Sequence, residues 1–283
     1  MLNRSDKHLV KREGDDRPRS SASKRLRTNG LVVLLAVAAW LIVWQVSYSI
    51  FDLSPILTSS PILILKALVS MILTGTYHDS PSMYSNLEIT LQAAAVAFLL
   101  NLAIGFSLGI MFGFFPYAGR AFEPLILILQ AFPIVVLFPL IVLVAGISLM
   151  GKVMLAILIG LPYLIFNVAS AIRSVNQGYY LLGRSIGFSS WTSLRKIIIP
   201  ESAPLFLQGI RLCFAFTYVG VIVAELVYVS NGLGYLLFWS SSSFYTDNVF
   251  AIIFIIIAIG AIIDSLFHIV ERKFFNWKTN PQS

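Results

Sequence analysis

Long apolar stretches recur along this chain, and they constrain the fold before any other feature. A helix needs about 20 mostly apolar residues to cross ~30 Å of hydrocarbon. Windows of that kind lie near 31–50, 87–114, 121–145, 153–172, 203–229 and 249–270. The last is the plainest, with eight isoleucines between Val249 and Ile263. Hydrocarbon leaves backbone N–H and C=O groups without water, so such runs cross as helices. The chain is 58% hydrophobic and 12% charged, outside the soluble range. We therefore expect an all-α integral membrane protein with six transmembrane helices. A further apolar run, 61–73, is too short to cross. It reads as an interfacial or partly re-entrant helix, with a seventh span as the alternative.

Charge sets the expected direction. The formal net charge is +7, but nine of the twenty Lys and Arg residues lie between Arg4 and Arg27. That placement, beside a membrane segment, reads as a topology signal and not as nucleic-acid binding, with binding to anionic lipid as the alternative. Residues 1–28 lack an apolar period and read as a disordered basic cytoplasmic tail, and residues 29–283 as the transmembrane domain. The run at 31–50 shows no small-residue cleavage site and reads as a retained span. With the N-terminus inside, Arg120, Arg173, Arg184, Arg195, Lys196, Arg272, Lys273 and Lys278 share its side. Only Lys66 and Lys152 face the other way, so both termini are expected in the cytoplasm.

Enzyme and metal chemistry find little support. Gly146–Lys152 has Walker-A spacing, but Val153 stands where the Mg²⁺-binding Ser or Thr belongs, and no strand precedes it. His8, His78 and His268 are scattered, and Cys213 is alone, so no metal-ligand spacing or disulfide framework arises. His268 reads as an interfacial partner of Asp264 one turn earlier. Neither a catalytic site, a bound cofactor nor a metal is expected in this chain.

The spans carry their own signals. Gly105, Gly109 and Gly113 form a small-residue seam, with its partner helix either in the same subunit or in a second copy. Pro133, Pro139 and Pro162 interrupt the third and fourth spans, beside Gln130, Asn167 and Ser170. Freed carbonyls are tolerated where protein or a water-lined path satisfies them, so Gln130, Pro133, Pro139 and Asn167 are candidates for a transport path; kinked packing is the other reading. Glu225, with Gly232 and Gly234 just beyond it, is a candidate gate, or else a carboxylate at the interface.

Between the fourth and fifth spans lies a polar island at about 174–202. Residues 176–186 suit one short helix, Gly187 a left-handed turn, and Ser189 or Ser190 the cap of a second helix ended by Pro200. That second helix is expected to place Trp191, Leu194 and Ile198 on one face, with Arg195 and Lys196 beside it.

The island resembles the cytoplasmic loop of permease subunits of ATP-binding-cassette importers, whose pattern is Glu-Ala-Ala, three residues, Gly, nine residues, Ile, any residue, Leu, Pro. Gly187, Ile197 and Pro200 fall at the matching spacing, Ile199 replaces the Leu, and Leu181-Leu182-Gly183 replaces the opening triplet. Over 31–277, Phe132-Pro133, Pro139-Leu140, Gly209-Ile210-Arg211, Ala224-Glu225 and Gly232-Leu233-Gly234-Tyr235 resemble the nitrate, sulfonate and taurine branch. The resemblance implies a type I importer permease fold in a bacterial inner membrane. It implies two partner ATPases that hold ATP and Mg, a second permease copy forming a homodimer, and an extracytoplasmic solute-binding protein. It also implies that Gly187, Ser190, Trp191, Leu194, Arg195, Ile197 and Pro200 couple to the ATPase, with Trp191 and Leu194 as the apolar grip. An ion-gradient-driven secondary transporter or channel is the alternative, and would call for ionisable relays within the spans.

Overall fold

In a computed structural model of the chain, residues 20–51, 54, 58–228 and 230–275 are described. They form α1 (Ser20–Ile50), α2 (Pro61–Thr74), α3 (Met83–Phe114), α4 (Pro116–Ala131), α5 (Phe138–Ala145), α6 (Leu149–Arg173), α7 (Gln177–Ser185), α8 (Ser190–Ser193), α9 (Ile199–Tyr228), α10 (Leu233–Ser242) and α11 (Thr246–Phe275), with no strand among the described residues. A 3₁₀ turn, Ile134–Leu137, precedes α5, and a π turn, Leu194–Ile198, joins α8 to α9. α1 belongs to one unit and α2–α11 to another. α1 opens at Ser20, inside the stretch expected to be disordered; residues 1–19 lie outside the described residues.

Four helices among the described residues are long and apolar enough to cross a membrane: α3, α6, the run Ser190–Tyr228 and α11. The expected third span is not one helix. α4 and the segment Ile134–Ala145 meet at 87°, because Pro133 supplies no N–H to continue the ladder and its φ is fixed, here at −71°. Pro139 then sits in the first turn of α5, where a missing N–H costs nothing. Within α1 the apolar stretch Leu35–Ile50 is shorter than a full crossing, so the expected six is reached only by counting it and the bent pair.

The glycine seam finds its partner within the chain. A Cβ at Gly105 would lie 2.7 Å from Leu164, one at Gly109 2.6 Å from Val168, and one at Gly113 2.8 Å from Ile172. Both helices run in steps of four, so three close approaches repeat along α3 and α6. α9 packs against both helices, with Gly209 against Asn167 and Gly220 against Ala156 on α6, and Asn101 on α3 donating to Thr217 Oγ1 at 2.8 Å. Leu164, Val168, Phe206 and Cys213 fill the interior there. α2 is capped by Ser60, whose Oγ accepts from Leu63 N–H. It buries Ala67 and Met71 against Leu233, Leu236, Ala251 and Ile252 while Ile62, Leu65 and Leu73 point outward.

Pro200 does not end the second island helix as expected. α8, the π turn and α9 run on as one 39-residue helix. A proline ring clashes with the carbonyl four residues back; the widened turn, in which Ile199 N–H donates to Leu194 O, makes room for it.

Gly109→Ala should lower stability by about 1–3 kcal/mol, the usual cost of overpacking, read by thermal unfolding in detergent. Unchanged stability would remove the seam from the account.

Candidate functional site

Two sites stand at opposite ends of the 39-residue helix. The first surrounds Glu225 in the last turns of α9, whose side chain is 0% exposed. Thr90 on α3 places its hydroxyl 3.0 and 2.9 Å from the two carboxylate oxygens. Gly234 N–H donates to Oε2 at 3.0 Å. Lys152, in the first turn of α6 and equally hidden, holds Nζ 3.9 Å from Oε1. The same ammonium donates to the backbone carbonyl of Asn231 at 2.7 Å and to its Oδ1. Asn86 Oδ1 accepts from Gly232 N–H at 2.7 Å, and Thr90 Oγ1 accepts from Leu233 N–H at 2.8 Å.

The loop from α9 to α10 is thus tied down by α3, α6 and α9 together. Gly232 has a φ of 103°, and a Cβ there would collide with the Glu225 carboxylate; only glycine lets the chain pass so close. Buried charge is tolerated when paired and hydrogen-bonded, and both conditions hold. Glu225 is thus enclosed by protein and shielded from solvent. Lys152, Thr90 and Asn86 went unrecognised. In the sequence Lys152 enters the charge asymmetry and a false phosphate-binding pattern but not a pairing, although opposite charges at the ends of two apolar spans are a usable pairing signal.

The remaining intramembrane charges pair differently from expectation. Arg211 on α9 grips Asp264 on α11 with both arms of its guanidinium, Nη2 to Oδ2 at 2.7 Å and Nε to Oδ1. His268 instead faces Glu271 at 3.7 Å. Gln130 donates to the Pro162 carbonyl at 3.1 Å and Asn167 to the Tyr163 carbonyl at 2.7 Å. Both are half-buried, whereas Pro133 and Pro139 are exposed at the bend. None of these four joins the hydrogen bonds around Glu225. No group of three or more metal-ligating side chains occurs among the described residues.

The second site is the loop. Asn176 caps α7 through Gly178 N–H at 2.8 Å, and Gly187 turns the chain at φ 83°. Ser189 caps α8 through Thr192 N–H at 3.2 Å. A Cβ at Gly183 would lie 2.9 Å from Ser193 Oγ and 3.0 Å from Ile197, so a small residue here lets α7 close on the π turn. Trp191 and Leu194 do not share a face as expected. Leu194, 1% exposed, packs with Ile198 onto α6 and α9, while Trp191 is 67% exposed. Leu194 therefore props the loop from inside. Leu181, Leu182 and Ile186 are exposed as well, an apolar display where the usual triplet carries a carboxylate. Ser190, Arg195 and Pro200 are exposed, and Ile197 is half-buried. Lys196 reaches over the Phe188 ring, 5.5 Å from its centre.

Comparison with known proteins agrees in kind. The sequence profile of the family described as "Binding-protein-dependent transport system inner membrane component" matches residues 101–276. The chain is 28% identical over 256 residues to the putative aliphatic sulfonates transport permease protein SsuC of Bacillus subtilis, covering 90% of this chain and 91% of that one. It is 24% identical over 238 residues to the formylaminopyrimidine transport permease protein ThiX of Halalkalibacterium halodurans, covering 84% and 92%. Among solved structures, an inward-facing form of the MetNI methionine ABC transporter superposes with a TM-score of 0.62 at 15% identity, over 68% of this chain and 95% of that chain. That likeness concerns the fold.

Lys152→Met should cost about 3–5 kcal/mol by stranding the Glu225 carboxylate without its counter-charge. Adding Glu225→Gln should restore much of the loss. Unfolding of the single and double variants checks this; strictly additive losses would mean that the two groups are not coupled.

Proposed function

The chain belongs to the binding-protein-dependent transport system inner membrane component family, and from that premise we propose how this importer permease is driven and what it carries. It is a multi-pass membrane permease of an ATP-driven importer. Two copies pair in the inner membrane with both termini in the cytoplasm. Two ATPases, holding ATP and Mg²⁺, bind the loops between α6 and α9. An extracytoplasmic binding protein delivers the solute at the opposite face. The solute is a small sulfonate or a similar organic molecule, in keeping with the names of the relatives.

One observation carries this reading: the exposed Trp191 stands on a loop that continues without a break into α9. Exposed apolar side chains off the membrane mark a protein contact, and Leu181, Leu182 and Ile186 extend it. The 39-residue helix is roughly 58 Å long at ~1.5 Å per residue. It joins the contact at one end to Glu225 at the other. Closure of the ATPase pair on ATP pushes the loop, with Gly187 as the bend and Leu194 and Ile198 transmitting the push to α6. The Glu225 cluster releases or recaptures the Asn231–Gly234 segment, so the permease alternates between two packings, each biased by its own contacts. Gln130, Asn167 and the Pro133–Pro139 bend line the path in this reading.

Two variants test it in liposomes holding the permease, its ATPase and binding protein. Trp191→Glu should abolish ATPase co-purification and cut uptake at least about tenfold, the effect of burying one unpaired charge in an interface. Gly187→Val, strained by ~1–2 kcal/mol at positive φ, should leave hydrolysis running while uptake falls. Full uptake by Trp191→Glu protein would end the proposal.

A further inference from the structure

A groove of about 1090 Å³ opens at the loop end of the bundle, where α3 turns into α4 beside the end of α6. Arg120, Glu123 and Arg173 stand in its lining with Phe114, Phe115 and Leu181. Arg173 is engaged, Nη1 to Glu123 Oε2 at 3.0 Å. Arg120 makes no hydrogen bond or ion pair among the described residues.

Level and chemistry narrow the occupant. Phe114 and Arg173 are the last residues of two spans, so the groove lies where hydrocarbon gives way to headgroups. Phe115 and Tyr117 are exposed beside it, as aromatic residues are at that boundary. The charge asymmetry of the loops puts this end in the cytoplasm. A guanidinium fork matches phosphate oxygens, and basic pockets between spans on that side suit phospholipid headgroups. The aromatic walls, Phe114 and Phe115, suit the first methylenes of an acyl chain, which a free phosphate lacks. The volume sits at the upper end of ordinary ligand sites, up to ~1,000 Å³.

We infer that this groove binds the phosphate of an anionic phospholipid of the inner leaflet, with Arg120 as the anchor and Arg173 as a second donor restrained by Glu123. The occupant touches both the α3–α4 corner and the loop, which Leu181 represents in the lining. It therefore braces the loop against the spans.

The test uses the full chain in detergent, titrated with phosphatidylglycerol or phosphatidylcholine, with bound lipid counted by native mass spectrometry. The expected result is one retained phosphatidylglycerol and no retained phosphatidylcholine. Arg120→Gln should weaken retention about tenfold, the order of one charged hydrogen bond. Glu123→Gln should strengthen it severalfold by freeing Arg173. Arg272→Gln, on α11 and outside the lining, should change nothing. The inference is overturned if Arg272→Gln weakens retention as much as Arg120→Gln, or if Glu123→Gln fails to strengthen it. It is equally overturned if glycerol phosphate displaces the lipid at matched concentration, since the ligand would then be a free phosphate. Binding is read directly, so failure here leaves the importer reading untouched, and failure of that reading leaves this result standing.

Discussion

The close approach of α3 to α6 is the constraint from which the rest follows. Between helices in lipid no hydrophobic force favours contact over dispersal, so fit of the surfaces decides. Gly105, Gly109 and Gly113 remove the side chains that would hold the two backbones apart, and Leu164, Val168 and Ile172 fill the space. α9 then packs onto the pair, meeting α6 through Gly209 and Gly220 and α3 through Thr217 and Asn101. With three helices stacked this tightly, Thr90, Lys152 and Glu225 arrive at one point from three different elements.

That convergence encloses a fully paired set of charges. Each charge is hidden, each is paired, and the donors to the carboxylate are Thr90 of α3 and Gly234 N–H, on a segment that glycines alone allow to lie so near. A buried pair of this sort is stable while complete and costly when half-removed, which suits a segment that is either held or released. The 39-residue helix makes the same cluster mechanically continuous with the exposed loop. Within such a helix the π turn is the one departure from α geometry. It sits where Leu194 and Ile198 pack against α6, and such turns are frequent at functional sites.

Particular residues show where reading along the chain succeeded. The spans were legible because α3, α6, α9 and α11 declare themselves by length and composition, independently of partners. The loop was legible because its caps are local: Asn176, Gly187 and Ser189 each act on residues within a few positions. Pro200 misled because a proline's local meaning is to stop a helix, and the remedy, one widened turn, arises only when α6 offers a surface for Leu194 and Ile198. Trp191 and Leu194 were placed together by a periodicity that assumes every face has the same neighbour.

By itself the amino-acid order settled that this is a helical membrane protein, where four of its spans run, and where the local caps of one loop fall. These are consequences of hydropathy, charge count and short-range hydrogen bonding, which need no partner. Tertiary structure alone decided that Glu225 answers to Lys152, 73 positions away in the chain, and that Arg211 answers to Asp264. It also decided that the glycines of α3 face α6. Those outcomes depend on which helices come to rest side by side, and distance along a chain carries no record of that.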